Sequence, residues 1–427
     1  MTPEVKQRIE QIRRGEVPEG YKKTALGIVP ANWIETTLGK IYTERNEPGN
    51  DSLPLLMVSI HSGVSDGEVA EEDLPKKVKR IEDKSQYKHA LPGDLVFNMM
   101  RAWQGAIGSV RTEGMVSPAY IVAKPNELVD PVFMDYYMKT PRMVNMIHRQ
   151  SYGVTDFRLR LYWDSFSPIP CVLPPLEEQR QIAEILSAQD AYISLQLKTL
   201  AAYQQLKKTF LAKLLPKGGS NEPELRFKGF SDAWEQRKVA DIASDTRGGG
   251  TPATSNEAYW TGDIPWIQSS DLTEGKVFGV EPRKHISRAG LNGSATQLVP
   301  ENSIAVVTRV GVGKLAFMPY SYTTSQDFLS LCRLQTEPVF TVYGLYQMLQ
   351  GELSAVQGTS IKGMTKEDLL SKVISVPRST DEQAQIGSYF KNLDNLITLH
   401  QRKVDFTQTE KDALMQLLMT GQLQVSV

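Results

Sequence analysis

Residues 176–186 read "LEEQRQIAEIL" and residues 380–390 read "TDEQAQIGSYF". Both carry Glu-Gln-x-Gln-Ile, and both run on into a long segment with helical spacing of apolar residues. From Glu178 onward the two align without a gap at a constant offset of 204 residues, from Glu178 to Glu382. Gln179 meets Gln383, Gln181 meets Gln385, Ile182 meets Ile386, Asp190 meets Asp394, Lys207 meets Lys411 and Leu214 meets Leu418. Repetition at long range decides architecture before any local reading does.

The repeat extends upstream of both helices. Trp33 in "NWIETTLGKI" corresponds to Trp234 in "AWEQRKVADI", and "PVFMDYY" at Pro131 to "PVFTVYG" at Pro338. "PGDLVFNMMRAWQGAIG" lines up with "PENSIAVVTRVGVGKLA", pairing Pro92 with Pro300, Arg101 with Arg309 and Gly105 with Gly313. The offsets of 201, 207, 208 and 204 imply short insertions between otherwise parallel halves. The chain reads as a globular unit followed by a long helix, written twice.

Each globular unit reads as mixed α/β. Strand-like runs such as "LLMVSI" (55–60), "DLVFNM" (94–99), "SIAVVT" (303–308) and "FLSLCRL" (328–334) are punctuated by Gly and Pro. In the first long segment Ile182, Leu186, Gln189, Ile193, Leu197, Leu200, Tyr203, Phe210 and Leu214 keep a four-three spacing. In the second, Ile386, Phe390, Leu393, Ile397, Val404, Leu414 and Leu418 do the same. That narrow seam is the mark of helices that pack on one another. The fold class expected is therefore α+β: two tandem mixed α/β domains separated by two long antiparallel, coiled-coil-like helices with pseudo-two-fold symmetry. Its divisions are an N-terminal charged helix (1–20), a first domain (21–172), a first spacer helix (173–217), a second domain (218–376), and a second spacer helix with tail (377–427).

Composition sets limits. The 427 residues carry 48 Lys and Arg against 49 Asp and Glu, a net charge of -1, and each half is near balance. A nucleic-acid partner must then be recognised by local placement of cations rather than by bulk charge. The two cysteines, Cys171 and Cys332, lie far apart in sequence and suit a reducing compartment. Without an apolar run long enough to cross a bilayer or a signal-peptide core, a cytoplasmic location is expected.

Several stretches resemble the DNA-specificity subunits of type I restriction–modification systems. They are the helix starts "LPPLEEQRQIA" (173–183) and "DEQAQIG" (381–387), "GGGTPATSNEAYWTGDIPWIQSSDL" (248–272), and "GTSIKGMTKEDL" (358–369) with its following "ISVP". The first half departs in part: it lacks the Gly-Thr-Pro and Tyr-Trp elements, and "YGVTDFRLRLYWDSFSPIP" (152–170) is a looser closing segment. The resemblance implies that each globular unit is a target-recognition domain reading one half of a split, asymmetric DNA site. It implies that the helices set the spacing and dock two methyltransferase subunits, on which motor–nuclease subunits assemble. It further implies no catalysis by this chain, with S-adenosylmethionine, Mg and ATP used by the partner subunits.

The candidate DNA contacts are Arg, Lys, Gln and Ser in loops, since Arg can grip guanine, Gln adenine, and Ser either. In the first unit they are Lys76, Lys77, Lys79, Arg80, Arg101, Gln104, Arg158 and Arg160. In the second they are Arg247, Gln268, Ser269, Arg283, Lys284, Arg309, Lys314 and Lys362. Arg101 and Arg309 occupy repeat-equivalent positions, which suits phosphate contact or loop support better than base reading, because two half-sites should differ. For Trp103, Trp260 and Trp266 core packing is the default. The helix and partner positions are Gln179, Gln181, Ile182, Leu186, Ile193 and Leu200, with Gln383, Gln385, Ile386, Phe390, Ile397 and Val404.

Enzyme readings find little purchase. "RVGVGKLA" (309–316) lacks the first Gly of a phosphate loop and has Leu315 where Ser or Thr is needed. Asp263 before "EGK" (274–276) fits a loose nuclease pattern that is common by chance. His61, His89, His148, His285 and His400 show no metal-ligand spacing. Two alternatives remain open: a protein–protein adaptor, and the specificity subunit of another multi-subunit restriction–methylation enzyme.

Overall fold

The computed structural model describes residues 2–60, 63–65, 83–153, 158–216, 220–355 and 363–425. The chain divides into two compact units: Met1–Leu195 with Val404–Val427, and Gln196–Lys403. Among the described residues no helix is long and apolar enough to cross a membrane.

The first unit begins with helix α1 (Pro3–Arg13), whose start is fixed by Pro3 and by the Thr2 hydroxyl accepting from the Val5 amide. Among its strands are β1 (Ile34–Thr37), β2 (Tyr42–Arg45), β3 (Leu95–Asn98), β4 (Ile107–Ser109), β5 (Tyr120–Pro125) and β6 (Pro170–Leu173). Four of them form an antiparallel sheet in the order β2-β5-β3-β4, and β1 pairs with β6. The run at 55–60 yields only the two-residue strand Val58–Ser59 and an isolated bridge from Leu55 to Met115. Helices α2 (Pro131–Met138) and α3 (Pro141–Gln150) follow β5, each with proline in its first turn and an Asp130 or Thr140 cap. The long helix α4 (Leu176–Leu214) starts directly after β6.

The core of this unit joins the sheet (Leu95, Phe97, Ile121) to α2 (Phe133, Met134) and to both long segments, through Ile182, Leu186, Leu418 and Met419. Burying each such side chain contributes about 1.5–3 kcal/mol.

The second unit repeats this plan. Its strands are β7 (Glu235–Lys238), β8 (Ala243–Gly248), β9 (Ile264–Ile267), β10 (Lys284–Ile286), β11 (Ser303–Val307), β12 (Leu315–Met318), β13 (Thr323–Thr324), β14 (Phe328–Leu334) and β15 (Val373–Val376). The four-stranded sheet runs β8-β14-β11-β12, strand for strand the counterpart of the first, and β7 pairs with β15 as β1 pairs with β6. A further sheet, β10-β9-β13, includes one parallel pairing, β9 with β13. Helix α5 (Pro338–Ala355) begins as α2 does: Phe340 N donates to the Glu337 carboxylate, as Phe133 N donates to Asp130. Helix α6 (Thr380–Met419) closes the chain. Leu211, Leu214, Phe340, Tyr343, Ile386, Phe390 and Leu393 share one core.

The hydrogen-bond register corrects one pairing made on sequence. Leu95 pairs with Ser109 and Ala123, and Ile304 with Phe317 and Leu331, so β3 maps onto β11 at an offset of 209. Gly93 (φ 94°) therefore corresponds to Asn302 (φ 58°), both in the left-handed turn before the strand, and Pro92 does not correspond to Pro300. The seam also departs from strict heptads at one point. Leu197 is 48% exposed, while Gln196 and Leu200 are buried.

Candidate nucleic-acid interface

The two helix starts are tied into their own units by the same bonds. Gln179 is buried; its Oε1 accepts from Asp130 N (2.9 Å) and its Nε2 donates to the carbonyls of Leu128 (2.8 Å) and Pro174 (2.9 Å). Gln383 is buried likewise, accepting from Glu337 N (2.8 Å) and donating to the Pro377 carbonyl (2.8 Å). Gln181 is half-buried and Gln385 exposed. Ile182, Leu186, Ile193, Leu200, Ile386, Phe390 and Val404 are buried, and Ile397 is half-buried.

Beside each glutamine stands a glutamate whose role the sequence did not reveal. The indole N–H of Trp33 donates to Glu178 (3.2 Å), and that of Trp234 to Glu382 (3.3 Å). Arg226 adds a two-pronged pair to Glu382, with Nε at 2.8 Å and Nη2 at 2.9 Å. Glu178 has no such arginine, and its second oxygen is buried without a hydrogen-bond partner among the described residues. Burial raises the Glu178 carboxyl pKa, against the opposing Trp33 bond.

A second repeated device lies about three turns further along each long helix. In the first unit the Tyr136 hydroxyl donates to Asp190 (2.7 Å), Lys411 donates to the other oxygen, and the Lys411 ammonium lies 5.3 Å from the Tyr136 ring centre. In the second, Tyr343 donates to Asp394 (2.6 Å), Lys207 donates to its other oxygen (2.6 Å), and Lys207 lies 5.6 Å from the Tyr343 ring centre. Burial pushes the Tyr136 phenol up to about 12 and Tyr343 further still. These phenols stay protonated and donate. The pairings of Asp190 with Lys411 and of Asp394 with Lys207 run antiparallel within each unit, and they explain why these positions recur in sequence.

The loop candidates separate into groups. In the first unit Arg101, Gln104, Arg158 and Arg160 are all exposed. Leu161 N donates to the Met99 carbonyl (2.8 Å) and Tyr152 bridges Arg160, so the closing segment lies against the loop bearing Arg101 and Gln104. Trp103 packs on His148, with ring centres 5.5 Å apart, and donates to the Met100 carbonyl. The second unit repeats the closure: Met364 N donates to the Thr308 carbonyl (2.7 Å) beside exposed Arg309. Lys76, Lys77, Lys79, Arg80 and Lys362 lie outside the described residues.

Around β9 and β10 the candidates are more varied. Lys314 is turned inward, donating to the carbonyls of Leu272 (3.0 Å) and Ser269 (3.4 Å), and so braces a loop. Gln268 and Ser269 are half-buried in a single 3-10 turn capped by Gln268 and Asp271. Arg283 is exposed with Nε 3.5 Å from Asp271. The Lys284 ammonium lies 5.5 Å from the Trp260 ring centre and 5.7 Å from that of Trp266. Arg247, paired with Asp245 at 3.0 Å, is not near them in the sheet: it faces Ser330 across β14. The register makes it the counterpart of Arg45, which faces Val122 and is buried in an ion pair with Asp94 (2.8 Å). Only strand register exposes that equivalence. Among the described residues no three His, Cys, Asp or Glu side chains are placed to hold a metal ion.

Comparison with known proteins converges on one group. Residues 231–405 match the family model of the Type I restriction modification DNA specificity domain. The putative type I restriction enzyme MjaX specificity subunit of Methanocaldococcus jannaschii is 23% identical over 95% of this chain and 97% of its own length. The type I restriction enzyme EcoR124I/EcoR124II specificity subunit of Escherichia coli is 27% identical over 54% of this chain and 57% of its own. Among solved structures, the fold resembles a chain from a study of complex assembly and conformational transition of the type I R-M system. There the TM-score is 0.57 at 19% identity, over 92% of this chain and 99% of that one. It also resembles the type I restriction–modification S subunit of M. genitalium, with a TM-score of 0.54 at 11% identity over 93% and 97% of the two chains.

Proposed function

We propose that the chain, whose residues 231–405 match the type I restriction modification DNA specificity domain and whose relatives are specificity subunits, is a DNA sequence-specificity subunit, and that each of its two units reads one half of a split, asymmetric DNA site. The observation that carries this reading is a contrast between what the repeat keeps and what it changes. The sheets, the Trp–Glu and Gln junctions and the Tyr–Asp–Lys triads recur unit for unit. The loop residues do not: exposed Gln104, Arg158 and Arg160 on one side, half-buried Gln268 and Ser269 with exposed Arg283 and Lys284 on the other. A shared frame with different loops suits two different half-sites. Arg and Gln then supply base-edge contacts, and the remaining cations position the backbone.

In the same reading the long helices present exposed surface to two methyltransferase subunits, through which motor–nuclease subunits join. The chain itself carries out no chemistry, and S-adenosylmethionine, Mg and ATP are bound by those partners. The near-neutral charge fits this division, because phosphate contacts, which supply much of the affinity for DNA, are then shared with the partner subunits.

The test is to map methylated adenines genome-wide in cells that carry the methyltransferase partner, with and without this chain. A split motif that appears only with the chain is expected. Exchanging residues 225–376 for the corresponding domain of another family member should then change one half of the motif and spare the other. Methylation unaffected by deleting the chain would sink the recognition reading and leave the adaptor.

A further inference from the structure

In the second unit a cavity of about 580 Å³ opens beside β9 and β10, lined among others by Thr254, Trp260, Thr261, Arg283, Lys284 and His285. Its floor is rigid. The Trp266 indole donates to the Gly250 carbonyl (3.0 Å), the Trp260 indole to Ala253 (3.3 Å), and the two rings meet edge to face at 5.0 Å. Lys284 stands directly across the strand pair from Trp266, with its ammonium over both indoles. It has no ion-pair partner among the described residues. Gly262 lies where a Cβ would fall 2.1 Å from the Ile286 carbonyl, so only glycine lets the turn close on the end of β10.

We propose that this cavity holds a phosphate of the DNA backbone beside the second half-site, with Arg283 and Lys284 as its ligands, and that neither residue reads a base. The proposal rests on the specificity-subunit reading and assigns a role within it. Three features favour phosphate over a base. Two cations, Arg283 and Lys284, line one concave site together with Thr254 and His285. Lys284 lies over the indoles, which narrows the range of its ammonium and lowers the side-chain entropy lost on binding. Trp266 is buried, Trp260 meets it edge to face, and Lys284 lies over both indoles, which reduces the ring surface on which a base can stack. Asp271 restrains Arg283 only loosely, at 3.5 Å and with the arginine side chain 70% exposed, so its guanidinium can turn to the ligand.

The experiment uses the full chain assembled with its methyltransferase subunits, and three duplexes: the mapped site, one with the first half-site scrambled, and one with the second scrambled. Arg283→Ala and Lys284→Met are compared with the unaltered chain from low to moderate salt. Methionine keeps a stem on the indoles, so it removes the charge and spares the fold. Each variant should weaken binding to all three duplexes by a common factor of several-fold. The slope of log affinity against log salt should become shallower by about 0.9, the signature of one lost phosphate contact. Loss of discrimination at the second half-site alone would make these residues base readers and overturn the proposal. Unchanged affinity and slope would place the cavity off the DNA and overturn it too. If the unaltered complex fails to prefer the mapped site, the specificity reading itself falls, a result distinct from either of these.

Discussion

At the scale of single residues, the most informative contrast is between Glu178 and Glu382. Both are buried acceptors for a tryptophan N–H, yet Arg226 neutralises only Glu382. The raised Glu178 pKa has a definite sign. The folded state binds that proton more tightly than the unfolded chain, so the junction is most stable below the ordinary glutamate value of about 4.3 and loses stability as pH rises through the raised value. Glu178→Gln should therefore cost little at neutral pH, or stabilise, and should flatten the pH dependence. Glu382→Gln strands Arg226 and should destabilise by about 1–3 kcal/mol. Thermal unfolding of the two variants between pH 5 and pH 8 would show it, and equal effects would contradict the argument. None of this was legible in the sequence. The two glutamates align, but the arginine comes from a segment, around Arg226, whose counterpart holds Ala25.

At the scale of elements, the Tyr–Asp–Lys triads clamp α2 and α5 to the long helices. The Lys207 side chain is 9% exposed and that of Asp394 17%, whereas Asp190 is 45% exposed. Removing a carboxylate from a buried pair leaves an uncompensated charge, at a cost of up to about 3–5 kcal/mol, and solvent relieves that cost where the site is open. Asp394→Asn is thus expected to lower stability more than Asp190→Asn, with hydrogen exchange accelerating in α5 in the first case and in α2 in the second. The reverse order would refute the burial argument. The triads also explain what could be read in advance. The repeat was visible because Asp190, Asp394, Lys207 and Lys411 perform one task twice. The seam was misplaced at Leu197 because an α-helix turns in 3.6 residues and drifts about 20° per heptad from a 3.5-residue stripe. The strand pairing slipped at Pro92 because a one-residue difference between turns is silent in sequence and decisive in hydrogen-bond register.

At the scale of the whole molecule, charge makes its own forecast. With 48 basic and 49 acidic residues the chain has no bulk attraction for a polyanion. Alone it should bind duplex DNA weakly and with a shallow salt dependence, and association with methyltransferase subunits should steepen it. Fluorescence anisotropy on one duplex, with and without those subunits, would decide; tight, steeply salt-dependent binding by the chain alone would count against shared phosphate contacts. The order in which the chain is made differs from the order in which it can fold. The second unit is a single stretch, Gln196–Lys403, but the first needs Val404–Val427 as well. Lys411, Leu418 and Met419 belong to its clamp and core, and Gly421 accepts a bond from Tyr21 while Gln422 accepts one from Arg8. On the ribosome, the half that is synthesised first is therefore the half that finishes folding last. Until residues 404–425 have been made it waits with its core open, and a chain cut at residue 403 has its second unit whole and its first unit not.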